Sequence, residues 1–103
     1  VLDTTPLMDA VTRFADRLRA APQSRLQKGA AAEGLALARE LATRAQRIEE
    51  PGREPRRMPD AGMFAVADQL VVAGRDLALA LTDRDGLGQA VDLVEQAHRR
   101  AGV

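Results

Sequence analysis

Apolar residues recur along this chain at alternating spacings of four and three. The run Met63, Ala67, Leu70, Gly74, Leu77, Leu81 keeps that spacing without a break, and Leu7, Val11, Phe14, Leu18 repeats it near the start. Residues three and four apart share one face of an α-helix, so the pattern specifies helices that each bury one stripe. The first is expected over 6–20, opened by Thr5 as N-cap and Pro6 in the first turn, and closed by the approach to Pro22. The second and longest is expected over 23–49. Ala30, Gly34, Leu37, Leu41, Ala45 and Ile48 form its stripe, Ala31 and Ala38 widen it, and Arg39 and Arg47 lie opposite. Gly29 and Gly34 each cost about 1 kcal/mol relative to Ala in a helix interior, so they mark close backbone contact or a weak first half.

The segment Glu50-Pro51-Gly52-Arg53-Glu54-Pro55-Arg56-Arg57-Met58-Pro59 cannot continue a helix, and its charge keeps it in water. It predicts a mobile, irregular loop over 50–60 within one domain, because neither flanking half could bury its stripe alone. Asp60 is expected to cap a third helix over 61–82. After the interruption at Asp83-Arg84-Asp85-Gly86, Asp85 caps a fourth over 87–100, with Leu87, Val91, Val94 and Ala97 inward. The expected architecture is all-α: a single-domain four-helix up-and-down bundle over 1–103, with the second and third helices as its long central pair.

The third helix carries apolar residues on both flanks of its stripe. Phe64, Val71 and Ala78 lie on one flank, and Val66, Ala73 and Ala80 on the other. In a bundle each helix hides one stripe, so one flank is left open as an apolar patch of the kind that marks an interface. Phe64, Val66, Val71 and Ala73 are the candidate interface residues, and a homodimer is the expected state, twofold dimers being the commonest soluble oligomers. Small residues at Ala30, Gly34, Ala67 and Gly74 would let helices approach closely, within a chain or between chains.

Composition narrows the setting. The absence of Cys excludes a disulfide framework and thiolate chemistry, which fits a reducing cytoplasm. Nothing resembles a signal peptide, and no charge-free stretch approaches the roughly 20 residues that span a bilayer, so no membrane partner is expected. Fifteen basic residues balance fifteen acidic ones, which leaves no global field to steer the chain onto nucleic acid. Fourteen Arg stand against one Lys, with 20 Ala and no Asn or Tyr. A GC-rich bacterial genome accounts for that usage, so the arginine excess need not signal phosphate recognition.

Candidate chemistry is sparse. Glu95 and His98 match the i, i+3 spacing of carboxylate-bridged di-metal bundles, but such a site needs two pairs and two further inward carboxylates, and this chain has one His. Asp83-Arg84-Asp85-Gly86-Leu87-Gly88 begins like a calcium loop and then puts Leu87 and Val94 where ligand oxygens are required. No metal or cofactor is expected. Arg25 and Lys28, beside Arg13, Arg17 and Arg19, lie at the start of the second helix and form a candidate anion-binding pair. Arg53, Arg56 and Arg57 are too few to drive nucleic-acid affinity, and Phe14 and Phe64 both read as core rather than as stacking platforms. Ser24 is far in sequence from His98 and has no glycine elbow, so an enzyme is not expected and no catalytic residue is assigned. The reading is a protein-interaction or scaffolding module that self-associates or binds another protein. The alternative is a binder that holds an apolar small molecule between its helices.

Overall fold

A computed structural model describes residues 1–103, and it contains four helices. Helix α1 is Thr5–Ala20. Its Pro6 sits in the first turn as expected, but the Asp3 carboxylate, not the Thr5 hydroxyl, accepts the first free N–H, that of Thr5, at 3.0 Å. Helix α2 follows after Ala21 and Pro22 and spans Gln23–Glu49, with a kink at Gly29 between its first turns and the long segment Ala31–Glu49. At the kink Gly29 takes a non-helical φ of 141°, which no ordinary side chain adopts comfortably, so the helix expected unbroken over 23–49 is interrupted there. Helix α3 is Val66–Ala80 and α4 is Arg84–Ala101.

Two helix starts differ from expectation. Asp60 accepts the N–H of Gly62 at 2.8 Å and Gly62 takes φ 92°, so Asp60 closes a turn ahead of α3 instead of capping it. Asp83, in extended conformation, accepts the N–H of Gly86 at 2.7 Å. That bond from N-cap to third helical residue starts α4 within the segment read as an interruption, and leaves Asp85 in the first turn.

Phe14, Leu7, Val11, Leu41, Leu70, Leu77 and Val94 are fully buried, so all four helices contribute large side chains to one core. The helices meet most closely at two glycines. A Cβ at Gly34 would lie 2.6 Å from Val66 Cγ1 and 3.1 Å from Leu18 Cδ1, and one at Gly74 would lie 2.9 Å from Val11 Cγ2. The small-residue positions thus serve contacts within the chain. Ile48, placed in the α2 stripe by its spacing, is 43% exposed, at the rim of an open cleft it shares with Leu77 and Leu81.

The class is the expected all-α four-helix bundle, with extents of 39 × 27 × 17 Å. Its connectivity is not up-and-down. Gly34, in the first half of α2, packs on Val66 at the start of α3, while Arg47 and Ile48 at the end of α2 share a cleft with Leu77 and Leu81 at the end of α3. The central pair α2 and α3 therefore runs parallel. Arg19 meets Asp68 and Val11 meets Gly74, so α1 is antiparallel to α3; Glu33 meets Arg100 and Arg44 meets Gln89, so α2 is antiparallel to α4.

The connector Glu50–Ala65 makes this order possible. From Gly34 to Glu49 helix α2 climbs about 22 Å at ~1.5 Å per residue. Sixteen connector residues at ~3.3 Å each can reach about 50 Å, enough to return to the starting end. The connector is also strapped down. Gln46 accepts the N–H of Arg56 at 2.8 Å and donates to its carbonyl at 3.3 Å, Arg39 Nε donates to the Met58 carbonyl at 2.9 Å, and Gln69 Nε2 donates to the Pro59 carbonyl at 2.9 Å. Met58 and Met63 pack against the core beneath. The segment read as a mobile loop is a return strap, and Arg39, read as a water-facing residue, is part of its fastening.

Candidate functional site

The inward stripe of α3 fixes what its other faces present. With Ala67, Leu70, Gly74 and Leu77 buried, positions 68, 72, 75 and 79 point away from the core. They hold Asp68, Val72, Arg75 and Leu79, all exposed, and Phe64 stands in the turn just before the helix. Phe64 is 74% exposed, Val72 54% and Leu79 82%. These are the large apolar side chains that α3 and the turn before it leave in water, and Val71 and Ala78 border them half-buried.

Of the four residues expected at an interface, the structure leaves two available. Val66 and Ala73 are 2% and 1% exposed, closed off inside the chain because α1 and α2 cover that flank at Leu18 and Gly34. Phe64 and Val71 lie on the open flank. Val72 and Leu79 lie outside the four expected interface residues. The signal was present: both fall nearly opposite the buried stripe, where Leu between Asp76 and Thr82 has no reason of its own to be apolar.

The polar part of the face is ordered as well. Asp68 accepts from Arg19 Nη2 at 2.7 Å, and Arg19 Nη1 also lies 3.3 Å from Asp16. The hydrogen bond that Arg19 donates to Asp68 holds its guanidinium above its already high ordinary range. Arg75, seven residues on from Asp68, and the neighbouring Asp76 are both exposed and make no ion pair within the chain.

The other candidate residues lie elsewhere. Arg25 Nη1 donates to the Gly102 carbonyl at 2.5 Å, binding the start of α2 to the end of α4, while Lys28 extends into solvent without an ion-pair partner. The His98 ring stacks on Phe14, centroids 4.8 Å apart and planes 10° from parallel, and its Nε2 lies 3.1 Å from the Val103 carbonyl oxygen. His98 thus forms the polar cap of an aromatic pair at the end of the core, and no group of three or more metal-ligating side chains gathers around it. Arg53 and Arg56 turn back to Glu50, at 2.9 and 3.5 Å, and Arg57 stands in solvent. The clefts are open and lie at the surface. One of about 320 Å³ is lined by Glu40, Arg44, Arg47, Ile48, Leu77, Leu81, Gly86 and Gln89, and another of about 510 Å³ lies between the start of α1 and the start of α4. No helix is long and apolar enough to cross a membrane.

Compared with known protein families, curated proteins and solved structures, the chain matches none. The functional reading therefore rests on its own residues.

Proposed function

We propose that the chain is a protein-interaction module that self-associates through the outer face of α3, with a bacterial cytoplasm as its setting. One observation carries the reading: Val72 and Leu79, on the outer face of α3, and Phe64, in the turn just before it, are each more than half exposed. A single exposed Leu or Val is ordinary, but an aligned set of large apolar residues on a rigid helix costs solubility unless something covers it. The helix itself is well anchored, by the close crossings at Gly34 and Gly74 and by the Arg19–Asp68 pair, so the face is presented in one geometry. Usage typical of a GC-rich genome and the lack of Cys support the setting.

An apolar ligand held between the helices has less in its favour, since Phe14, Leu41, Leu70 and Leu77 fill the space where it would lie.

Light scattering on a size-exclusion column tests the proposal. The mass should rise from 11.1 kDa toward twice that value as the load moves from low to high micromolar. Leu79→Asp, which adds a charge at a position outside the core, should hold the mass near 11.1 kDa while leaving the helical circular-dichroism signal intact. An unmodified chain that stays at 11.1 kDa through high micromolar concentration would refute self-association.

A further inference from the structure

We infer that two copies pair α3 against α3 antiparallel, about a twofold axis between positions 71 and 72, with Asp68 of each chain against the partner's Arg75. This rests on the proposed self-association and adds its register. A twofold interface must be complementary to itself: if residue i touches j, then j touches i. About that axis Phe64 lies beside the partner's Leu79, Asp68 beside the partner's Arg75, and Val71 beside the partner's Val72. Large apolar groups meet large apolar groups, and opposite charges meet at both ends of the valine centre.

Other registers satisfy fewer of these residues: an axis between 75 and 76 sets Arg75 against the partner's exposed Asp76 and Val72 against its Leu79, but it leaves Phe64 uncovered. Moving the axis by half a turn along the helix sets Asp68 or Arg75 against an apolar residue of the partner, and moving it by one turn sets Asp68 against Asp68 or Arg75 against Arg75. A parallel pair in register also aligns like charges, at both positions. Like charges placed opposite each other raise the cost of the wrong arrangement, so the charges select the register while the apolar groups supply the contact. Arg75 is free to do this because it has no partner inside its own chain. Asp68 keeps its bond to Arg19 at 2.7 Å, and its side chain remains 79% exposed, so the pairing extends a line of alternating charge: Asp16, Arg19, Asp68, the partner's Arg75. One face of a 15-residue helix is smaller than the roughly 800 Å² per partner of a standard stable interface, so the dimer is expected to be micromolar or weaker.

Charge exchange tests the register. Arg75→Asp removes no contact within the chain and places Asp68 against a second carboxylate across the interface. At low salt it should weaken self-association about tenfold or more. Asp68→Arg should do the same with two positive charges; it also gives up the solvent-exposed pair with Arg19, so an unchanged helical circular-dichroism signal is the condition for reading it. An equimolar mixture of these two variants restores opposite pairs at both contacts, and so does the double variant Asp68→Arg/Arg75→Asp in its own homodimer. Sedimentation equilibrium should show both combinations associating within about threefold of the unmodified chain. If the unmodified chain is dimeric but Arg75→Asp leaves its affinity unchanged, or neither combination recovers it, the register is wrong and self-association stands. If the unmodified chain is monomeric throughout, self-association fails first and the register with it.

Discussion

Replacing Gly34 with Ala sets two effects of known size against each other, and the structure determines which wins. On an isolated helix the change should stabilise by about 1 kcal/mol, the propensity difference between Gly and Ala. In this fold the new methyl would lie 2.6 Å from Val66 Cγ1 and 3.1 Å from Leu18 Cδ1. Carbon atoms in good contact sit about 3.5–4.0 Å apart, so Val66 or the helix that carries it must retreat by about 1 Å. Val66 is β-branched and buried, with no free rotamer to swing into, so α2 and α3 must separate. Overpacking of that kind costs about 1–3 kcal/mol, which outweighs the propensity gain and leaves a net loss of about 1 kcal/mol. Urea unfolding followed by circular dichroism measures it as a lower midpoint at unchanged slope. A cycle with Val66→Ala isolates the contact: the double variant should be less destabilised than the sum of the singles by about 1 kcal/mol. A Gly34→Ala chain that is more stable than the parent, or a cycle that is additive, would refute the close crossing of α2 and α3.

Leu70→Ala or Leu77→Ala should cost about 2–5 kcal/mol in chemical denaturation, and Arg47→Ala less than about 0.5. Arg39→Ala should fall between them at about 1 kcal/mol, because it frees the Met58 carbonyl, and equal losses at Leu70 and Arg47 would contradict the buried stripe. Brief trypsin treatment should cut first after Arg53, and Gln46→Ala should accelerate cleavage after Arg56 and Arg57 by unfastening the strap; no acceleration would mean the strap is not held there. The hydroxyl of Thr5, and then its backbone N–H, hold the Asp3 carboxyl below its ordinary value of 3.8. A lowered folded value contributes stability that is present above the unfolded value and lost as pH falls through the folded one. The first turn of α1 should therefore fray as pH falls below about 4, seen as a fall in the Thr5 amide's protection relative to its intrinsic exchange rate at the same pH; protection that stays constant into acid, or that falls equally in an Asp3→Ala chain, would contradict it.

Four helices were legible because each buries a single stripe, and a spacing of four and three records which residues face inward. It does not record which neighbour they face. Parallel and antiparallel packing of α2 on α3 bury the same Leu37, Leu41, Leu70 and Leu77, so the direction of α3 left no trace in the stripes. What sets it is the strap, held by side chains of Gln46, Arg39 and Gln69 on backbone groups of the connector. Such bonds have no period and no required residue type on the connector side. The misplaced helix starts have a related cause. Asp serves equally as a helix N-cap, as Asp83 does, and as the first residue of a turn, as Asp60 does before Gly62. At the candidate site the spacing correctly gave α3 more apolar surface than one stripe needs. It could not tell the Val66–Ala73–Ala80 flank, sealed by α1 and α2, from the Phe64–Val71–Ala78 flank, which stays open beside Val72 and Leu79.

The chain contains no Cys, so a single introduced thiol reports one contact only. Val72→Cys places that thiol next to the twofold axis of an antiparallel α3 pair, where facing Cα atoms come within the roughly 4.4–6.8 Å that a disulfide spans. Asp92→Cys, on the exposed side of α4, serves as the control. Under mild oxidation at micromolar concentration, the Val72→Cys chain should convert rapidly and almost completely to a covalent dimer of twice 11.1 kDa, far ahead of the control. Slow cross-linking at the same rate in both variants would show that the outer face of α3 does not meet its own copy.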